Sequence, residues 1–225
     1  MIASAHADPL VVLVDTSTEM PLADIDGARL KGGIHYDLAQ ALARKLNREL
    51  VMQVLPRKRI PLALGSGQGD LLCLYLPQWL PGQYQWTQAF FPQTELLVTA
   101  LSRPEPRALS ELADLPIGTV LGYRYPELET ELGSRFKRAD VTSNAINLRK
   151  LAAGRIHHVA TIKIFYDYQL HKGERLRVHP PLEIKQYLTR CALSPNSSVA
   201  LADVDNAIVE LINDGTINKI LSNYQ

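Results

Sequence analysis

The spacing of hydrophobic positions changes along the chain, and the changes mark a succession of strands and helices. Residues 10–15 (LVVLVD) are a short β-branched run, the pattern of a strand buried on both faces. Over 34–46 the period becomes four, with Ile34, Leu38, Leu42 and Leu46 on one helical stripe. Arg44, Lys45 and Arg48 gather near its C-terminal end, where cations suit the helix dipole. A second strand is expected over 49–55, a short helix over 60–64 stopped by Gly65, and a third strand over 70–76 (DLLCLYL). This β-α-β-α-β order predicts a parallel sheet with right-handed crossovers.

The middle of the chain repeats the pattern on a smaller scale. A strand over 117–121 meets Gly122, then a helix carrying Leu128, Leu132 and Phe136. Ser143 reads as the N-cap of a helix reaching Leu151 and Ala152 and stopped by Gly154. A strand over 158–162 and a helix over 165–170 follow. The chain closes on two helices, one with Val204, Ala207, Ile208, Leu211 and Ile212 on its apolar face, the other with Ile217, Ile220, Leu221 and Tyr224. The fold class is therefore α/β, with two units joined by crossings near 101–107 and 183–190. Domain interfaces favour ligand pockets, and two crossings make a natural hinge.

Composition narrows the function. The 225 residues are 46% hydrophobic, enough for one large core or two small ones. With 24 basic and 23 acidic residues, the net charge is +1, and no basic stripe suggests nucleic-acid binding. No apolar run of about 18 residues suggests a membrane span. Ala5-His6-Ala7 fits the small-x-small pattern of a signal-peptidase site, so residues 1–7 read as a signal-peptide remnant or a tail. Cys73 and Cys191 either pair in an oxidising compartment or remain two buried thiols.

Several chemical motifs drop out. Gly65-Ser-Gly-Gln-Gly follows a helix and lacks the Lys-Ser/Thr ending of a phosphate loop. His157 and His158 are neighbours at a strand entry and point to opposite faces, which disfavours a shared metal. No nucleophile elbow is present. No cofactor or metal is expected.

The order of segments resembles the bacterial extracellular solute-binding proteins of the polar amino-acid type (family 3) that serve ABC transporters. The resemblance runs over nearly the whole chain. It rests on strand 10–15 ending at Asp15, Gly33-Ile-His-Tyr-Asp-Leu-Ala-Gln-Ala-Leu-Ala, Leu62-Ala-Leu-Gly before Asp70, and Gln85-Trp-Thr-Gln-Ala-Phe-Phe. Residues 108–115, Ala152-Ala-Gly-Arg and Asp214-Gly-Thr-Ile-Asn-Lys-Ile continue it. It implies a type II periplasmic binding protein-like fold: lobe 1 at 8–100 plus 190–225, lobe 2 at 101–189, and a two-segment hinge. It also implies a periplasmic, monomeric protein that closes on a small ligand and meets an ABC permease in the inner membrane.

The resemblance places Asp15, Thr18 and Glu19, Arg57, Tyr75 and Trp79, Tyr123 and Arg124, and Thr161 and Lys163 at the ligand cleft. The chain departs from the family there. It has no Arg or Lys from 60 to 102, where the family's carboxylate-clamping arginine falls, and Ile162 stands near the ammonium-binding aspartate. Arg57 and Arg124 are the expected substitutes, either as anion anchors or, in turn, as a solvated surface cation and part of a surface turn. Tyr75 and Trp79 suit a planar ligand. An anionic or planar ligand is thus expected in place of an ordinary amino acid. Two alternatives stay open: a periplasmic enzyme similar to cyclohexadienyl dehydratases, with Glu19 or Asp15 as its acid, and a sensory module for a membrane partner.

Overall fold

The computed structural model describes residues 8–224, so the signal-remnant reading of residues 1–7 lies outside the described residues. The chain divides into two compact units. Unit 1 holds 8–18, Leu22–Phe91 and Thr189–Tyr224; unit 2 holds Glu19–Pro21 and Pro92–Leu188.

In chain order the strands and helices of unit 1 begin with β1 (Leu10–Asp15), β2 (Asp24–Asp26), β3 (Arg29–Gly32), α1 (Ile34–Lys45), β4 (Leu50–Leu55), α2 (Ile60–Ser66), β5 (Leu71–Tyr75) and β6 (Gln85–Trp86). Then come β7 (Phe91–Thr99), β8 (Pro116–Val120), α3 (Pro126–Leu132), β9 (Lys137–Val141), α4 (Asn144–Ala152), β10 (His158–Ile162), α5 (Lys163–His171) and β11 (Leu182–Leu193). The chain ends in unit 1 with α6 (Leu201–Asn213) and α7 (Thr216–Ser222).

In unit 1, β1 lies parallel to β4, from Leu10 opposite Leu50 to Asp15 opposite Leu55. β5 is parallel to β1 on its other side, and β11 runs antiparallel to β5 and β6. Three of the four residues of the stripe anticipated on α1 are buried, Ile34, Leu38 and Leu42 being at most 1% exposed, while Leu46 caps the helix end half-buried. Gly33 opens this helix at φ 99°, and a Cβ there would lie 2.7 Å from the Leu22 carbonyl oxygen, so only glycine fits. The Tyr224 hydroxyl donates to Asp37 Oδ2 (2.9 Å) and accepts from Gly33 N–H (3.2 Å), pinning the C-terminal residues to α1.

Unit 2 has the strand order β7-β10-β8-β9. β10 is antiparallel to β7, pairing His158 with Thr99 and Ile162 with Glu95, and β8 is parallel to both β10 and β9. Two apolar clusters cover its faces. One joins Leu96, Val98, Leu148, Leu151 and Phe165; the other joins Leu97, Leu112, Ile117, Tyr125 and Leu128. Ser143 caps α4 as expected, its Oγ accepting from Ile146 N–H at 3.4 Å.

The structure shifts three sequence expectations. Besides a short excursion of Glu19–Pro21 into unit 2, the outward crossing falls between Phe91 and Pro92, earlier than position 100, because Glu95–Thr99 pair with β10 inside unit 2. The return falls between Leu188 and Thr189. There Phe90 N–H donates to the Thr189 carbonyl (2.9 Å), and Thr189 Oγ1 donates to the Phe91 carbonyl (3.0 Å). The second change is in α2, which runs through Gly65 and ends at Gly67, the residue that takes the left-handed turn (φ 81°). Third, Phe136 lies beyond α3, after a 3-10 turn at Gly133–Arg135. Among the described residues no helix is long and apolar enough to cross a membrane.

Candidate ligand site

β1 ends at Asp15, and the turn after β4 places Arg57 beside it. Asp15 Oδ2 accepts from Arg57 Nη1 at 3.2 Å, and the carboxylate side chain is only 1% exposed. Asp15 Oδ1 accepts from both the N–H (2.9 Å) and the hydroxyl (2.8 Å) of Ser17, and Thr18 N–H donates to the Asp15 carbonyl (3.0 Å). Arg57 also donates through Nη1 to the Tyr75 hydroxyl (2.7 Å) and through Nη2 to the Trp79 carbonyl (3.4 Å). Its guanidinium lies 5.1 Å from the Tyr75 ring centroid. Lys58 and Arg59 are exposed, whereas the Arg57 side chain is drawn in to 18% exposure. A buried carboxylate needs such partners, because an unpaired charge there costs several kcal/mol. Five of the ten expected residues therefore meet in unit 1.

The other five lie in unit 2 and do not form one cluster. Glu19 Oε2 accepts from Ala145 N–H (3.0 Å) in the first turn of α4, where a carboxylate suits the helix dipole. Thr161 Oγ1 donates to Asn144 Oδ1 (3.2 Å) at the same helix end. Lys163 pairs instead with Asp167 one turn along α5, on the surface. Arg124 forks onto Glu129, with Nε–Oε2 at 3.0 Å and Nη2–Oε2 at 2.6 Å. Glu129 Oε1 also accepts from Tyr125 N–H (3.1 Å), so a side chain of the chain itself occupies the N-terminus of α3. The Tyr123 carbonyl accepts from Arg138 Nη1 at 2.9 Å. The anion-anchor expectation for both arginines thus meets a physical change: each guanidinium already holds a carboxylate.

The structure adds Glu95, which the sequence did not single out. It sits in β7 directly opposite Ile162, where the resemblance looked for an acid, and is 6% exposed. Its Oε2 has no hydrogen-bond partner among the described residues. Burial, reinforced by the nearby Glu127 and Glu129 charges, pushes its carboxyl up to about 8. A strand reading TELLVT gives no local sign that its Glu is enclosed; only the pairing with β10 shows it.

The two cysteines form a disulfide joining β5 to β11 within unit 1, with Cα atoms 3.9 Å apart. Phe90 and Phe91 are core residues, while Trp86 is half-buried. Among the described residues, no group of acids, histidines or cysteines is arranged to hold a metal.

No protein-family model matches the chain, and no curated protein matches it. Solved structures do. The substrate-binding protein of an amino-acid ABC transporter superposes with a TM-score of 0.75 at 16% identity, covering 97% of this chain and 99% of that one. An ancestral amino-acid-binding protein, a precursor of cyclohexadienyl dehydratase, gives 0.75 at 18% identity over 96% and 94%. The GluR0 ligand-binding core in complex with L-glutamate gives 0.80 at 13% identity over 98% and 99%. At these identities the likeness speaks to fold, and the fold of this chain is the mixed α/β, type II periplasmic binding protein-like one.

Proposed function

We propose that this protein captures a small solute outside the cytoplasm and delivers it to an ABC-type importer. The carrying observation is the fixed cluster of Asp15, Arg57, Tyr75 and Trp79 at the C-terminal ends of parallel strands, the edge where open α/β sheets bind ligands. Solved structures of the same fold, including an amino-acid ABC transporter's substrate-binding protein, support the role. The Cys73–Cys191 bond supports an oxidising compartment such as the periplasm. The working form is a monomer. A ligand touching both units favours a closed state by its differential affinity, with the two crossings as hinge.

Of the two ligand chemistries expected from sequence, the planar one has the better support. Asp15 already balances the Arg57 charge, so a second anion would gain little there. What the cluster offers is a flat guanidinium held still beside two aromatic residues, a surface for stacking. Native mass spectrometry of fresh protein should reveal a co-purified small molecule, and thermal-shift screening should rank planar solutes above small acyclic acids. Saturating ligand should also compact the protein in small-angle scattering. Unchanged scattering at saturation would rule out closure.

One observation favours an enzymatic second reading. Glu95 keeps its proton at neutral pH, the state a general acid needs, and sits opposite Ile162. A dehydratase would release water and carbon dioxide together from prephenate-like ring acids, the acid giving its proton to the leaving hydroxyl as the ring carboxylate departs, and would lose that activity in Glu95→Gln. Tight binding of such acids without turnover would leave the transport reading standing.

A further inference from the structure

The cluster in unit 1 and the α4 end in unit 2 do not account for a cavity of about 560 Å³ on another edge of unit 2. Pro116, which opens β8, and His157 and His158, at the opening of β10, line it. This is the N-terminal edge of those strands, whereas Thr161 and Glu19 gather at the C-terminal end of β10. The volume lies in the range of small-molecule sites.

Its lining has two chemistries. Leu112 and Ile156 give it an apolar floor, flanked by prolines. Arg103, Lys150 and Arg155 bring three cations from three places: the segment after β7, the last turn of α4, and the loop beyond it. Lys150 alone would need no explanation, since a helix C-terminus favours cations. Arg103 and Arg155 belong to no helix. Among the described residues, none of the three has a carboxylate within ion-pair distance, unlike Arg57, Arg124, Arg135 and Arg138. The one acid in the lining, Glu111, accepts from Arg107 N–H (3.2 Å).

The walls are held in place. The Arg103 carbonyl bonds His179 Nε2 (2.7 Å), Arg155 N–H donates to the Lys150 carbonyl (2.8 Å), and Ala100 N–H donates to the His157 carbonyl (2.9 Å). His157 Nδ1 is buried without a partner among the described residues. Burial, and after it the neighbouring His157 and Arg103, push the His158 imidazole down to about 4.

We infer that this cavity is a second binding site, for a small amphipathic organic anion whose carboxylate or phosphate meets Arg103 and Arg155 and whose apolar body lies on Leu112 and Ile156. Guanidinium groups suit either oxyanion, and the apolar floor distinguishes an organic anion from a bare inorganic one.

Phenyl phosphate is the probe, titrated at neutral pH by calorimetry and by NMR of the isotope-labelled protein. Saturable binding is expected at about 1 mM or tighter, with shifts centred on Ile156 and His157. Inorganic phosphate should bind at least about tenfold more weakly, and Arg103→Ala/Arg155→Ala should weaken phenyl phosphate by about tenfold or more. Resonances of Tyr75 and Trp79 should stay unshifted, which separates this site from the proposed solute site. Shift mapping on the parent protein locates the probe even if a variant folds poorly. Absence of saturation by about 10 mM, equal affinity for inorganic phosphate, or shifts centred elsewhere, such as on Tyr75 and Trp79, would each overturn the inference.

Discussion

Unit 1 contains the disulfide, the buried Asp15–Arg57 pair and the Tyr224 clamp; among its described residues unit 2 has no disulfide and no ion pair on so buried a carboxylate, and it encloses Glu95, whose Oε2 has no hydrogen-bond partner. The difference follows from how the chain is shared. Unit 1 draws on segments far apart in sequence, and each tie joins distant positions: 73 to 191, 15 to 57, and 37 to 224. Nearly all of unit 2 is one continuous stretch, Pro92–Leu188, packed on two apolar clusters. The lesson is that discontinuity calls for specific long-range links, while a continuous unit can carry an energetically costly buried acid.

The strongest way to break this comparison is to cut the disulfide. It spans 118 residues, and reducing it or making Cys73→Ser/Cys191→Ser should cost about 2–5 kcal/mol. Hydrogen exchange should show the loss in β1, β5 and α6, with β8 and β10 protected; equal loss in both units would end the contrast. The next test is Glu95→Gln. The unfolded chain releases this proton near 4.5, while the folded protein keeps it to about 8. Stability therefore falls as pH rises between those values, and the Gln variant should gain about 4 kcal/mol at pH 8 and little at pH 4.

Acid should act on both units alike, which sharpens the alkaline contrast. Burial lowers His35 in unit 1 and His158 in unit 2 to about 4, from 6.5. Each is neutral in the fold and gains a proton more readily when unfolded. Each should thus cost roughly 2–3 kcal/mol as pH falls from 6.5 to 4, read by exchange protection in α1 and β10. The smallest effect belongs to Arg124→Ala. Its pair with Glu129 is largely exposed, so chemical denaturation should show a change of about 0.5 kcal/mol or less.

Much of this fold was legible where periodicity was strong: the spacing-four stripe of α1, the β-branched run of β1, and the Ser143 cap of α4 all stand where the pattern put them. The elements that went unread have polar or mixed patterns. β9 reads KRADV and the β2–β3 hairpin DID and RLKG, and their strand character comes from pairing with neighbours. β11 slips in register between Arg190 and Ala192, which obscures its alternation. In the candidate site, sequence named Asp15, Arg57, Tyr75 and Trp79 separately, and the structure joins them. It could not show that Asp15 would neutralise Arg57, because that contact depends on how β1 and β4 align in three dimensions.

The shared ownership of unit 1 also sets an order of birth. As the polypeptide emerges from its N-terminal end, the last residue of unit 2, Leu188, arrives while unit 1 still lacks Thr189–Tyr224. The later-numbered unit can therefore organise first. The earlier one must wait, its Cys73 thiol exposed to other partners, until the closing segment brings Cys191 and the last two helices home.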